Sequence, residues 1–177
     1  MYYRGGRYLE RWVMALTPQR KKEIENKAQE LLVKHGQTKL PIDPKAVVEG
    51  EGLSVFYEDI VGNCTGLLDR ENKRIIVDSD LAGNLPHANC VIAHELGHYF
   101  LNLGTAKGEG AENDDEYEAN YFAHTLLMPA PYVEKLVEIY NEKEETAFDS
   151  LVQYLCYMFQ VTERKARHRL GELRFGF

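Results

Sequence analysis

The chain has 177 residues, of which 44% are hydrophobic and 11% aromatic, and this composition is ordinary for a soluble globular protein that buries one core. Its formal net charge of −7 argues against direct binding to nucleic acid, since proteins of that class are usually basic. Because the three cysteines form no CxxC pair, and no apolar run suits a signal peptide or a membrane span, we expect a cytoplasmic protein without a membrane partner.

The first element expected along the chain is a helix that follows an unpatterned beginning. Residues 1–16 show no clear periodicity, and we expect them to be a disordered extension. Residues 17–177 are expected to form a single domain. Thr17 suits the N-cap and Pro18 the first helical position, and Gly36 ends the predicted helix.

A short helix over residues 44–49 and three short strands come next. The strands stand in one block before a run of helices, and this order favours an α+β fold over alternating βαβ units. Residues 70–73 separate the second and third strands and are typical of a hairpin turn. The strands are predicted at residues 53–57, 65–69 and 74–77.

The second half of the chain is predicted to be helical. Asn84 is expected to cap one helix, which Gly104 ends. A Gly-rich, acidic loop over residues 105–115 separates it from a second strong helix at 116–128. Two or three more helices are expected over residues 132–173.

One segment of the first of these helices carries a recognisable chemistry. His94-Glu95-Leu96-Gly97-His98 is an HExxH motif. Residues four apart on a helix lie one turn apart on one face, so both imidazoles can bind one zinc ion at about 2.0–2.1 Å. Glu95 projects about 100° away, where it can take a proton from an activated water and pass it to the leaving amine. The motif therefore predicts a zinc peptidase with Glu95 as its catalytic base.

A third zinc ligand is expected from elsewhere in the chain, because a catalytic zinc commonly has three protein ligands and one open position. The first turn of the second strong helix is the best source, and Glu116 is the favoured ligand. Glu118 and Asp115 are the alternatives, although acids are ordinary at a helix start. Cys90 lies one turn before His94 and offers a thiol, but a buried apolar role suits it better.

Three further residues of the second strong helix are candidates for contacts around the metal or with the transition state. His124 can donate a hydrogen bond to the oxyanion of a tetrahedral intermediate, and Asn120 and Tyr121 are candidates of the same kind. A role in the core is the alternative interpretation for His124 and Tyr121.

Two stretches of the sequence resemble the ImmA/IrrE family of metallopeptidases. AHELGHYFL at 93–101 and EYEANYFAHTLLMP at 116–129 carry the resemblance, which extends over about 17–173. It implies a zincin-like fold that is mostly helical, with a small three-stranded sheet next to the HExxH helix. It also implies one zinc ion per chain, with Glu116 as the third ligand.

The resemblance further implies a protein substrate. Characterised members of the family cut helix-turn-helix transcriptional repressors and so switch on genes of mobile elements or stress responses. Two other interpretations stay open. One is a zinc-containing regulatory protein that binds a repressor without cutting it. The other is a DNA-binding regulator built on the C-terminal helical pair, which breaks at Val161 and Thr162 and carries several basic residues, although a packed pair is favoured.

Overall fold

The computed structural model describes residues 16–103, 114–142 and 147–175, and within them lie seven α-helices and one three-stranded sheet. This architecture confirms the predicted α+β fold. No helix in these ranges combines the length and the apolar character that a membrane span requires. The elements are α1 Pro18–Lys34, α2 Pro44–Gly50, β1 Ser54–Glu58, β2 Gly66–Asp69, β3 Arg74–Asp78, α3 Leu85–Phe100, α4 Asp114–Leu127, α5 Ala130–Glu142, α6 Leu151–Phe159 and α7 Glu163–Glu172, with a 3-10 turn at Ser79–Leu81.

Two sequence expectations fall largely on residues beyond those ranges. The extension expected at 1–16 lies outside the described residues except for Leu16. The same holds for positions 105–113 of the expected acidic loop, while the last two positions of that loop belong to α4.

Side-chain caps explain where two of the long helices begin. Thr17 Oγ1 accepts a hydrogen bond from Arg20 N at 3.1 Å, and Asn84 Oδ1 accepts one from His87 N at 3.3 Å. A proline follows each cap within the first turn, where a missing N–H removes no helical hydrogen bond. The predicted starts of α1 and α3 are therefore confirmed.

The sheet has the strand order β1-β3-β2, so β3 is central and β2 lies at an edge beside α3. β1 pairs with β3 in parallel, and β2 and β3 form the predicted antiparallel hairpin. Ile75 and Val77 of β3 are fully buried, as expected for a strand with neighbours on both sides. β1 starts one residue later than predicted because Leu53 still bonds backward, its N–H to Val48 O at 3.1 Å.

The boundary between α3 and α4 differs from the prediction. α3 ends at Phe100, with Leu101 as its C-cap, four residues before the predicted end at Gly104. α4 begins at Asp114, two residues earlier than predicted. Acidic residues stabilise the first turn of a helix through its dipole, so this part of the acidic run extends the helix instead of forming a loop.

Arg70, in the turn between β2 and β3, explains the early end of α3. Its guanidinium donates hydrogen bonds to the carbonyl oxygen of His98, to that of Tyr99 at 3.3 Å and to that of Leu103 at 2.9 Å. The last carbonyls of a helix have no partner within the helix, and a planar guanidinium can satisfy several of them at once. The hairpin therefore holds the C-terminal end of the helix that carries the HExxH motif.

The helices α3 and α4 pack against each other through small residues. Ala93 of α3 and Ala119 and Ala123 of α4 are fully buried. A Cβ added at Gly97 would lie 2.9 Å from Ala119 Cα and 3.0 Å from its carbonyl oxygen. The absence of a side chain at Gly97 therefore sets how closely the two backbones approach.

The helix α7 packs against α4 through a buried polar network. Arg169 is only 1% exposed and donates hydrogen bonds to Met128 O at 2.9 Å and to Glu172 Oε2 at 3.1 Å. Glu172 Oε1 lies 2.6 Å from His124 Nδ1. A buried carboxylate needs partners, and Glu172 has the Arg169 guanidinium and the neutral His124 ring, so this network fixes α7 on α4. The C-terminal helices form the packed pair favoured from the sequence, with the break that was predicted before Thr162.

Replacing Gly97 by alanine should destabilise the protein by about 1–3 kcal/mol, as expected for overpacking in a tight core. The overlap with the Ala119 backbone outweighs the roughly 1 kcal/mol that alanine gains over glycine in helix propensity. The free energy of unfolding in urea measures the effect. Gly83→Ala is the matched control, since an added Cβ there meets nothing within 4 Å. Equal stability of the two variants would contradict the close approach of α3 and α4.

Candidate metal centre

Three of the predicted site residues converge at the contact between α3 and α4. His94 Nε2 and His98 Nε2 lie 3.1 Å apart, because their positions are one helical turn apart. Glu116, in the first turn of α4, reaches both: its Oε2 is 3.2 Å from His94 Nε2 and its Oε1 is 3.2 Å from His98 Nε2. Among the described residues this is the group of histidine, cysteine and acidic side chains whose ligand atoms meet within 4.8 Å.

The spacing of these atoms fits a tetrahedral zinc ion. Ligands at about 2.0–2.1 Å from zinc stand about 3.3–3.4 Å apart at the corners of a tetrahedron. The observed separations are close to that edge length: 3.1 Å between the two nitrogens, and 3.2 Å from each nitrogen to a different carboxylate oxygen of Glu116. Two imidazoles and one carboxylate are also the ligands of some catalytic zinc sites. In such sites the fourth corner of the tetrahedron is available for water or substrate.

The protonation states of the ligands favour metal binding. Burial lowers the pKa of His94 below its ordinary value, so the imidazole is neutral at pH 7. One of its ring nitrogens then has a lone pair that a metal ion can bind. Hydrogen bonds from His94 and His98 lower the pKa of Glu116, which keeps its carboxylate ionised. Metals bind neutral imidazole and ionised carboxylate, so His94 and Glu116 have the charge states that a metal site requires.

Glu95 lies beside the three ligands and is not one of them. Its side chain is buried, and burial raises the pKa of its carboxyl group to about 7. β2 passes close to it, because a Cβ added at Gly66 would lie 3.0 Å from Glu95 Oε1 and 2.4 Å from Val91 Cγ1. A glycine at this position of the edge strand therefore leaves room for the Glu95 carboxylate.

Two cavities open at this site. The larger, of about 790 Å³, is lined by β2 residues on one side and by His94, Glu95, His98 and Glu116 on the other. The smaller, of about 220 Å³, is lined by His94 and Glu95 and by residues of α4 and α7. The ligands and the buried carboxylate are thus accessible from a cleft that can hold a peptide segment.

The alternative ligands are directed elsewhere or lack the required chemistry. Glu118 binds Arg20, with Oε1 at 2.8 Å from Nε and Oε2 at 2.5 Å from Nη2, so its carboxylate points toward α1. Cys90 is buried at 3.9 Å from Thr162 Oγ1, and burial raises the pKa of its thiol, which disfavours the thiolate that zinc binds. Asp115 does not belong to the converging group.

Of the three residues suggested for contacts around the metal, only Asn120 lines a cavity of the site. His124 is eight residues beyond Glu116, about 12 Å along α4, and it is held by Glu172. Burial lowers the pKa of His124 to about 4, so it stays neutral in this network. Tyr121 donates its hydroxyl to Glu25 Oε1 at 2.5 Å, on the α1 side of the helix. His124 and Tyr121 therefore act in packing between helices.

Sequence reasoning missed two residues that line the smaller cavity, Arg164 and Lys165. Both belong to the basic stretch of the C-terminal pair, which was considered for DNA binding and not for the metal site. A signal was present, since Lys165 and Arg169 are four residues apart and share one face of α7. Glu172 continues this face one turn later and is also largely buried, so this face of the helix points inward.

Comparison with known proteins agrees with this geometry. Residues 48–171 match the IrrE N-terminal-like domain of the peptidase M78 family. The chain belongs to this family. This membership confirms the resemblance to ImmA/IrrE proteins, and a metallopeptidase family implies a metal ion, which the group of His94, His98 and Glu116 can bind.

Two relatives show how far the likeness extends. Metallopeptidase ImmA of Bacillus subtilis (strain 168) is 29% identical over 113 residues, which are 60% of this chain and 64% of that protein. The chain therefore matches less than two thirds of the length of this relative. A Mycobacterium tuberculosis transcriptional regulator superposes with a TM-score of 0.63 over 86% of this chain and 56% of its own, at 17% identity. That likeness concerns the fold alone.

In this member of the peptidase M78 family, Glu116→Ala should lower the affinity for zinc by more than about 100-fold. Changing a residue that only contacts a metal ligand costs about 10–100-fold, and Glu116 is expected to bind the metal directly. Glu118→Ala should retain zinc, because the Glu118 carboxylate binds Arg20. Its expected cost is at most about 1 kcal/mol of stability, as for other partly exposed ion pairs. Zinc titration with a competing chelator compares the two variants, and melting temperatures control for folding. Zinc loss in Glu118→Ala with retention in Glu116→Ala would reverse the assignment.

Proposed function

We propose that the protein is a zinc-dependent peptidase in which His94, His98 and Glu116 bind the metal and Glu95 acts first as general base and then as general acid. One observation carries the proposal: the side chains of His94, His98 and Glu116 converge with contacts of 3.1–3.2 Å, while a second, buried carboxylate lies beside them and lines both cavities. A structural zinc site needs no such carboxylate, and it is closed to solvent.

The chemistry divides between the metal and the chain. A zinc ion supplies a Lewis acid that acidifies water and polarises a carbonyl group. Glu95 takes the proton from the attacking water and delivers it to the leaving nitrogen, so that the peptide bond breaks into a carboxylate and an amine. Gly66 contributes by leaving space for the Glu95 carboxylate. Arg70 contributes by fixing the end of the helix on which the histidines stand.

The larger cavity suggests how a peptide substrate binds. Within the described part of the chain, β2 pairs only with β3, so its other edge has backbone groups available for hydrogen bonds. This edge lines the cavity together with His94 and Glu95. An extended peptide can add to such an edge through main-chain hydrogen bonds. This arrangement would place a peptide bond next to the metal ligands and the base.

We further propose that the substrate is a helix-turn-helix transcriptional repressor in the cytoplasm. The resemblance to ImmA/IrrE proteins supports this part of the proposal, and the relative named metallopeptidase ImmA supports the peptidase activity. Binding of a repressor without cleavage is the competing function, and the two differ in their dependence on Glu95.

Replacing Glu95 by glutamine separates these functions. Glu95→Gln should keep its zinc and its fold but lose proteolysis by about 10²–10⁴-fold, the usual effect of removing a general base. The assay follows a candidate helix-turn-helix repressor from the same genome, co-expressed with each variant, by mass spectrometry of intact chain and fragments. Glu118→Gln is the matched control, because it makes the same chemical change on the neighbouring helix and should cleave like wild type.

The wild-type protein should produce fragments that a zinc chelator abolishes. If wild type and Glu95→Gln inactivate the repressor equally and no fragments form, the protein captures its partner, and the peptidase proposal is wrong while the zinc site stands.

A further inference from the structure

The smaller cavity joins the metal centre to a group of positive charges. It has a volume of about 220 Å³ and is lined by His94 and Glu95. Its other lining residues include Thr162, Arg164 and Lys165, at the start of α7. The reaction described above uses none of these three side chains.

Lys165 is a half-buried cation that forms no ion pair among the described residues, and the charges of Glu172 and Glu116 act on it only from beyond ion-pair distance. Its ammonium group donates a hydrogen bond to Asn120 Oδ1 at 2.5 Å, and the ion pairs of the described residues include no carboxylate within 4.0 Å of it. Burial lowers the pKa of Lys165 to about 8, so the side chain is still mostly charged at pH 7. A buried charge is unfavourable unless it is paired, and an ammonium has three donors of which Asn120 takes one.

The position of Lys165 is fixed by its contacts. Asn120 Nδ2 donates to the carbonyl oxygen of Glu116 at 2.7 Å, and this bond turns Asn120 Oδ1 toward the ammonium. The backbone N–H of Lys165 donates to Thr162 Oγ1 at 3.5 Å, at the N-cap of α7. The cation is therefore held in place next to the cavity instead of extending into solvent.

The surroundings add to the positive potential. Arg164 is exposed and lines the same cavity. The first turn of α7, a helix of ten residues, carries the positive end of the helix dipole. Glu163, the acid in that turn, is paired with Arg167 at 2.6 Å, on an exposed part of the helix. Glu163 therefore does not compensate Lys165.

The distance from the metal ligands suits a neighbouring group of a peptide. Cys90 and Asn120 line the cavity, and each lies one helical turn from a ligand, His94 and Glu116 respectively. One turn of α-helix advances about 5.4 Å. A glutamate carboxylate oxygen is four bonds from its Cα, and bonds of about 1.5 Å give it a reach of about 5 Å.

We propose that this cavity binds a carboxylate of the peptide substrate adjacent to the bond that is cut, with Lys165 as its main partner and Arg164 as a second one. The inference rests on the proposed function in taking the substrate to be a peptide. The carboxylate can belong to an Asp or Glu side chain or to a free C-terminus, and the experiment separates these two sources.

Binding of three short peptide hydroxamates tests the inference without any need for turnover. The first carries a Glu side chain and a C-terminal amide, the second a Gln side chain and an amide, and the third a Gln side chain and a free C-terminal carboxylate. Titration calorimetry with the zinc-loaded wild-type chain measures each Kd. The Glu probe should bind at least about 10-fold more tightly than the Gln amide, the effect of one charge-assisted hydrogen bond. Tighter binding of the third probe instead identifies the C-terminus as the source.

Variants of Lys165 and Arg164 show which of the two cations causes the preference for carboxylate. Lys165→Met should reduce the preference for carboxylate to less than about 2-fold, whereas Lys165→Arg should keep most of it. Arg164→Met should weaken it partly, because Arg164 is more exposed. Lys45→Met, on the exposed face of α2, is the control and should leave it unchanged. Zinc content and melting temperature report whether each variant folds. If Lys165→Met does not fold, the carboxylate preference of Arg164→Met is the test.

The outcomes distinguish this inference from the proposed function. Equal binding of all three probes to the wild-type chain, or a preference that survives in Lys165→Met, overturns the inference and leaves the peptidase proposal intact. A carboxylate preference that depends on Lys165, in a protein that cuts no repressor, upholds the binding pocket and counts against the peptidase. Failure of every hydroxamate to bind overturns both.

Discussion

The contact between α3 and α4 is the constraint on which the site depends. The histidines stand on one helix and the carboxylate on the other, so the separation of the two backbones determines whether three ligand atoms meet. Gly97 and Ala119 allow a backbone approach that larger side chains would prevent. Glu116 precedes Ala119 by three residues, so the point of closest packing and the metal ligand lie within one turn of α4. Packing in the core and geometry at the metal are thus one requirement.

The C-terminal helix has a corresponding role on the other side of α4. Arg169 and Glu172 anchor it with hydrogen bonds to Met128 O and to His124, in a region from which water is largely excluded. Burying these ionisable groups is tolerated only because each has a partner. Lys165 lies on the same face, one turn before Arg169. The network that fixes α7 therefore also determines where the Lys165 side chain reaches the smaller cavity at the candidate metal centre.

Sequence patterns predicted the features that depend on neighbouring residues. The caps at Thr17 and Asn84, the hairpin of β2 and β3 and the spacing of His94 and His98 are all local, and each is present in the structure. Glu116 was favoured over Glu118 from its place in the first turn of the helix and then from the family resemblance, and in the structure the two carboxylates point to different helices.

Features that depend on distant parts of the chain were not accessible from the sequence. The end of α3 at Phe100 depends on Arg70, about 30 residues away in the chain. The parallel pairing of β1 with β3 and the entry of Lys165 into the cavity depend on packing across still other separations. His124 lies on a helix next to the site, yet its partner is on α7 and turns it away. Periodicity identifies the buried face of a helix, but it does not identify which element covers that face.

The hydrogen bonds from Arg70 have a consequence for how the candidate metal centre keeps its shape. The carbonyl oxygen of His98 belongs to a metal-ligand residue, and the guanidinium that binds it belongs to the sheet. Together with the close packing at Gly97, this contact holds the backbone of both histidines in place by interactions that do not involve a metal. Little chain entropy is then lost when an ion enters, so binding free energy is not consumed in folding the site. We expect such a preorganised centre to release and reload a metal ion without unfolding, unlike a small zinc finger, whose folding and metal binding are a single event.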